Sequence, residues 1–221
     1  MKREGKKEGA ASALIRPAAV LLAICAIVSA ALALTYAATK DAIEQSARKE
    51  ADALRSEVMP GAQFEQVDLP GADMGVGAGA SAGVDTGVGA GAGAGARVLE
   101  MYKATAQDGA LAGYVATASA KGYNGDVAVI VGVRADGSIS GARVSSHAET
   151  PGLGSNAAKP EFYGQYGGGR AEEPFAVVNR PAGASNEISA VSGATITSKA
   201  VTDAVNAAAS AIHAQLKEGG T

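Results

Sequence analysis

From Pro17 to Thr39 the chain carries no charged side chain, and the run AAVLLAICAIVSAALAL lies within that stretch. Roughly 20 predominantly apolar residues let a helix cross the hydrocarbon core of a bilayer. The stretch is therefore constrained to be a membrane span or a secretion signal. Lys2, Arg3, Lys6, Lys7 and Arg16 precede it. Basic residues on the near side favour a cytoplasmic N-terminus. This predicts residues 1–16 in the cytoplasm, a single transmembrane helix over 17–39 in the cell (inner) membrane, and an extracytoplasmic C-terminal part. A cleaved signal peptide is the competing reading, with Ala31-Leu32-Ala33 as the small-residue cleavage pattern. The apolar stretch is longer than a usual signal core, which favours a retained anchor. Cys25 follows Ile24, where lipoprotein processing needs a small residue, so it reads as a lipid-facing or packing cysteine.

Beyond the span, Ile43, Ala47, Ala51, Leu54 and Val58 recur at spacings of three and four. That spacing predicts one apolar stripe on a helix over Lys40 to Met59, with Thr39 as its N-cap and Pro60-Gly61 as its stop. Residues 40–70 thus read as an amphipathic stalk helix and linker. Residues 71–96 contain runs such as GVGAGAGAGA. Glycine loses the most backbone entropy on ordering, and alanine offers little burial in return, so the tract reads as a flexible insertion.

A regular pattern begins at Arg97. Val98 to Ala104, Leu111 to Ser119, Asp126 to Arg134 and Ile139 to Ser145 are predicted strands, and Asp136-Gly137 is a hairpin signal. A short helix is expected near Pro160 to Tyr166 and a further strand over Phe175 to Asn179. A last helix is expected over Ser198 to Leu216. Val201, Val205, Ala208, Ile212 and Leu216 form its buried face, with Lys199, Asp203, Asn206 and Lys217 off it. Strands followed by a docked C-terminal helix imply an α+β domain over 97–221.

Composition narrows the function classes. With 3 Phe, 6 Tyr and no Trp, the core must be built mainly from Val, Ile, Leu and Ala. A net charge of -3 leaves no basic footprint for nucleic acid. A single cysteine excludes an internal disulfide and a cysteine-ligated metal or iron–sulfur site within this chain. No metal ligand set is apparent, and no general base or nucleophilic dyad.

Two segments carry chemistry. In Ser192-Gly193-Ala194-Thr195-Ile196-Thr197-Ser198 an apolar run, Ile188 to Val191, turns into the last helix. Small residues let backbone approach a ligand, and the first N–H groups of a helix suit a phosphate. Four hydroxyls and Lys199 lie in or beside the turn. A plain helix start, with Thr197 as cap and Gly193 as turn residue, accounts for the same residues. The second segment is His147-Ala148-Glu149-Thr150-Pro151-Gly152-Leu153-Gly154. Pro151 and the glycines make an open, rigid loop in which Leu153 can cover a flat ring. An ordinary surface turn with a solvated His-Glu pair is the alternative.

Together with Gly122-Tyr123-Asn124-Gly125 and DVAVIVGV, the stretches HAETPGLGS and SAVSGATITSKAV resemble the FMN-binding domain shared by two families. These are the G subunit of the Rnf electron-transport complex and the C subunit of the sodium-pumping NADH:quinone oxidoreductase, and the resemblance is stronger to the Rnf subunit. It covers Arg97 to Leu216 well and Pro17 to about Gly61 weakly, and it skips the Gly/Ala tract. It implies FMN joined by a phosphoester to Thr195, attached by a separate flavin transferase. Ser192, Gly193, Ala194, Thr197, Ser198 and Lys199 would surround the phosphate. Thr150, Gly152 and Leu153 would lie at the isoalloxazine, with His147 and Glu149 supporting them. The family usually has an acidic residue three positions before the motif serine, where this chain has Ser189. The implied role is electron carrier in an ion-translocating ferredoxin:NAD oxidoreductase complex, with other membrane and peripheral subunits as partners. The alternatives are a stand-alone extracytoplasmic flavoprotein and a flavin-free envelope or sensory module.

Overall fold

The computed structural model describes residues 7–67 and 95–218. Most of the Gly/Ala tract expected over 71–96 lies outside the described residues. The chain divides into two compact units, Met1–Glu50 and Ala51–Thr221.

The described part of the first unit is helical. It belongs to α1, Lys7–Val58, which runs without interruption through both the predicted span and the predicted stalk. No Gly or Pro occurs between Pro17 and Pro60, so nothing in the sequence breaks the ladder. Thr39 is consequently not an N-cap: its hydroxyl donates to the Thr35 carbonyl at 2.8 Å, one turn back. From Ala18 the helix holds a stretch apolar and long enough to cross a membrane, and none of that stretch is buried.

The second unit opens with the last two turns of α1. Its sheet has five antiparallel strands in the order of the chain. These are β1 Gln63–Val67, β2 Arg97–Thr105, β3 Leu111–Lys121, β4 Asp126–Arg134 and β5 Ile139–Ser146. The sequence placed Gln63–Val67 in a linker; the structure makes it an edge strand, with Phe64 opposite Ala104 and Val67 opposite Met101. The β4–β5 turn is closed by Asp136, whose Oδ1 accepts from the Ser138 N–H at 2.8 Å. Gly137 follows it at φ +81°, where glycine is favoured. After β5 come a short helix α2, Pro160–Tyr163, and the parallel pair β6 Ala176–Val178 and β7 Glu187–Ser189. The last helix, α3, spans Thr195–Glu218.

α3 lies on one sheet face. Val201, Val205, Ala208 and Ile212 are fully buried there with Val127, Val129, Val131 and Val133 of the alternating strand β4. Phe162, Tyr166 and Phe175 extend this core by edge-on ring contacts at 6.0 and 5.2 Å. The Tyr166 hydroxyl and Thr202 Oγ1 lie 2.7 Å apart within it. Burial of the phenol raises the Tyr166 pKa above its ordinary value. The opposite face holds a smaller core of Val58, Met59, Ala104, Val115 and Ile130, with Leu54 packed against it. The C-terminal part of the predicted stripe is thus buried in the second unit, while Ile43 is exposed.

One predicted surface residue is not at the surface. Asn206 is buried. Its Oδ1 accepts from the Phe175 N–H at 2.9 Å and its Nδ2 donates to the Phe175 carbonyl at 3.0 Å. A carboxamide satisfies both backbone groups of a residue that no strand partner reaches.

Candidate functional site

The turn before α3 is built by local hydrogen bonds. The Ala194 N–H donates to the Val191 carbonyl at 3.0 Å, and the Ser198 N–H to the Ala194 carbonyl at 2.9 Å. Ser198 Oγ accepts from the Val191 N–H at 2.9 Å and donates to the Ala194 carbonyl. These bonds start the helix at Thr195, one turn earlier than Ser198. The N–H groups of residues 195–197 have no acceptor in the helix's own ladder, as in any first turn. Gly193 sits at φ +75°, and a Cβ there would come within 3.2 Å of Leu153 Cδ1. The two segments singled out in the sequence therefore meet at Gly193 and Leu153.

The loop after β5 is equally fixed. The Gly152 N–H donates to Ser155 Oγ at 2.8 Å, and Asn156 Nδ2 to the Gly152 carbonyl at 2.9 Å. Leu153 is left 46% exposed. Glu149, by contrast, is buried, so it is not part of a solvated His-Glu pair. Its Oε1 accepts from the N–H groups of Tyr123 at 2.8 Å and Asn124 at 3.2 Å. Its Oε2 accepts from Thr197 Oγ1 at 2.8 Å. Thr197 is thus buried inside α3 and bonded to Glu149; it is not the helix cap. His147 is exposed, and its Nδ1 accepts from the Glu149 N–H at 3.3 Å.

These segments enclose a cavity of about 400 Å³, within the size range of small-molecule sites. One wall is Tyr123 of the β3–β4 turn. A second is Glu149, Thr150, Leu153 and Gly154. The third is Gly193, Ala194, Thr195, Ile196 and Thr197. Of the residues singled out in the sequence, Ser192, Ser198, Lys199, His147 and Gly152 are not among its lining residues. Tyr123, Gly154 and Ile196, which lie within the quoted motifs but carried no assigned role there, also line it. Tyr123 and Ile196 are exposed large side chains, a signal that appears only once the loops are placed beside each other.

Thr195 is half-buried, and its hydroxyl donates to Asn179 Oδ1 at 3.3 Å. Asn179 precedes a loop closed by Arg180, which makes two hydrogen bonds to Glu187 at 2.6 and 2.9 Å. The Gly183 N–H also donates to Glu187. The Arg180 hydrogen bond, with help from the Gly183 N–H, holds the Glu187 carboxyl below its ordinary pKa. Ser189 is held by Gln165: its N–H donates to Gln165 Oε1 at 2.8 Å and its carbonyl accepts from Gln165 Nε2 at 3.3 Å. Among the described residues no cluster of His, Cys, Asp or Glu is placed to hold a metal ion.

A hydroxyl and free first-turn amides at one end of the cavity, with Leu153, Ile196 and Tyr123 beside them, suit a ligand that joins a phosphate to a flat ring. Residues 122–210, which include every lining residue, match the family model of the FMN-binding domain. The fold and site define an FMN-binding domain attached to an N-terminal apolar helix long enough to anchor it in a membrane.

Residues 6–58 match the model of the RnfG N-terminal region. The chain is 37% identical over 190 residues to the G subunit of the Na(+)-translocating ferredoxin:NAD(+) oxidoreductase complex of Acetobacterium woodii, covering 85% of this chain and 86% of that one. It is 31% identical to the G subunit of the ion-translocating oxidoreductase complex of Methanosarcina acetivorans, covering 88% and 92%. The crystal structure of Shewanella oneidensis NqrC shares the fold, with a TM-score of 0.53 and 20% identity over 74% of this chain and 88% of that one. The chain belongs to the RnfG family, the G subunits of ion-translocating, Rnf-type oxidoreductase complexes.

Proposed function

We infer that the chain is the electron-carrier subunit of an ion-translocating Rnf-type ferredoxin:NAD oxidoreductase complex, with FMN esterified through its phosphate to Thr195. One observation carries this reading. The Thr195 hydroxyl lies on the first residue of α3, at the edge of a cavity whose other walls present Leu153 and Tyr123. The N–H groups of residues 195–197 and the positive end of the helix would hold the phosphate. Thr150 and Leu153 would line the isoalloxazine. Bound FMN supplies the redox chemistry, and the chain supplies attachment and orientation.

A covalent tether suits a shallow site. It replaces burial as the means of retention and gives the ring a high effective concentration in its cavity. The flavin can then stay accessible to partner subunits. Thr195 is an attachment point modified once by a flavin transferase.

The span 17–39 anchors residues 97–221 on the extracytoplasmic face, with the basic N-terminus in the cytoplasm. Ion movement belongs to partner subunits, because the span carries no ionisable pathway residue. Purification from native membranes tests this reading as a whole. The expected result is a yellow protein with an intact mass increased by one FMN, co-purifying with the other membrane subunits. A colourless protein of unmodified mass, from cells with an active flavin transferase, contradicts it.

A further inference from the structure

The buried carboxylate of Glu149 is the only side chain that bonds two walls of the cavity to the third among the hydrogen bonds of the described residues. Oε1 takes two backbone N–H groups of the β3–β4 turn, at Tyr123 and Asn124, and Oε2 takes the Thr197 hydroxyl in the first turn of α3. Glu149 itself belongs to the loop that carries Thr150 and Leu153. These contacts are 26, 25 and 48 residues apart in sequence, so no local turn requires them.

The slot around the carboxylate is shaped for it. A Cβ on Gly122 would strike Oε1, and a Cβ on Gly154 would strike Oε2 and Thr197 Oγ1. Both glycines are buried, and neither has the positive φ that would by itself call for glycine. All three partners donate, which matches an ionised carboxylate, an acceptor only. None of them is a cation, and no ion pair to Glu149 occurs among the described residues. Burying a charge with only neutral partners is costly. Asparagine or serine chemistry would tie backbone amides at lower cost, so the charge calls for a role.

We propose that Glu149 is a positioning residue for the flavin. It fixes the distance between the Tyr123 turn and the attachment turn at Thr195, and so holds the ring between them. Its charge at the cavity wall disfavours adding electrons to the ring, which sets the flavin potential lower than the neutral walls alone would. The inference rests on the assignment of FMN to the cavity and to Thr195.

The test uses the full-length chain, co-expressed with a flavin transferase and purified in detergent, as wild type, Glu149→Gln, Glu149→Ala and Thr197→Val. Peptide mass spectrometry of the wild type comes first. An adduct absent from residues 188–199 overturns the parent reading, and the Glu149 proposal falls with it. With the adduct in place, the readouts are flavin fluorescence anisotropy and the midpoint potential from a mediated dithionite titration. Glu149→Gln keeps the oxygen acceptor and the shape, and its amide can donate to Thr197 Oγ1. It is expected to retain wild-type anisotropy while its potential moves positive. Glu149→Ala is expected to lose anisotropy through a mobile ring. Should that variant not fold, Thr197→Val removes a single bond of the clamp and is expected to show the same loss in smaller measure. Wild-type potential in Glu149→Gln, or wild-type anisotropy in folded Glu149→Ala or in Thr197→Val, overturns the proposal.

Discussion

Asn206 of α3 holds both backbone groups of Phe175, accepting from its N–H at 2.9 Å and donating to its carbonyl at 3.0 Å, in a buried setting. This pair ties the segment leading into β6 to the helix that begins at Thr195. Removing the carboxamide leaves a buried donor and acceptor unpaired, at about 1–3 kcal/mol for each. Asn206→Ala is expected to lower stability by about 2–4 kcal/mol in urea unfolding followed by tyrosine fluorescence. A loss below about 1 kcal/mol would show that water or a shifted backbone replaces the amide.

β1 and β2 are antiparallel neighbours, with Val67 opposite Met101. The Gly/Ala tract therefore joins two strands that already lie side by side. Loop closure free energy changes by only about 0.6 kcal/mol per doubling of loop length. Replacing residues 71–94 by a short Gly-Ser linker is expected to leave the melting temperature within a few degrees and flavin loading intact. A large fall in either would show that the tract packs on the domain.

Much of this architecture was legible in the sequence because its signals are local. The alternating DVAVIVGV run gave β4 its observed bounds, and the spacing of Val201, Val205, Ala208 and Ile212 gave the buried face of α3. What escaped depends on distant partners. Gln63–Val67 is mostly polar, as an exposed edge strand can be, and only pairing with β2 defines it. Asn206 lies on a helix position where a polar residue normally faces solvent, and Phe175 makes it a core residue. The sequence could not separate a supporting Glu149 from a solvated one, because its donors come from the β3–β4 turn and α3. The turn around Thr195 stands out as a small-residue motif before a helix, whereas Tyr123 and Ile196 come to line the cavity only through the packing of three loops.

Glu187 gives a pH dependence with a definite sign. The Arg180 hydrogen bond, aided by the Gly183 N–H, lowers its folded pKa. A depressed carboxylate value means the contribution is fully present above the unfolded pKa and is lost as pH falls through the folded one. Amide protection at Gly183 and Ala184, corrected for intrinsic exchange, is expected to stay level from pH 7 to about 5 and to fall below about 4. Arg180→Gln is expected to move that fall to higher pH. A profile unchanged by this substitution would remove Arg180 as the cause.

Leu153 meets Gly193 at the cavity edge and is half-exposed. Its truncation should cost little stability, within about 1 kcal/mol for a surface position. Leu153→Ala is expected to retain covalent FMN while iodide quenches the flavin fluorescence more strongly. Unchanged quenching would place the ring away from this side chain.

The central claim is the bond at Thr195, and peptide mass spectrometry combined with in-gel flavin fluorescence tests it most directly. Full-length wild type and Thr195→Ala are expressed with a flavin transferase and run on a denaturing gel. The expected result is a fluorescent wild-type band, an FMN adduct on Thr195 within residues 188–199, and a dark, folded Thr195→Ala. Undiminished fluorescence in Thr195→Ala, or an adduct on Ser192, Thr197 or Ser198, would contradict it.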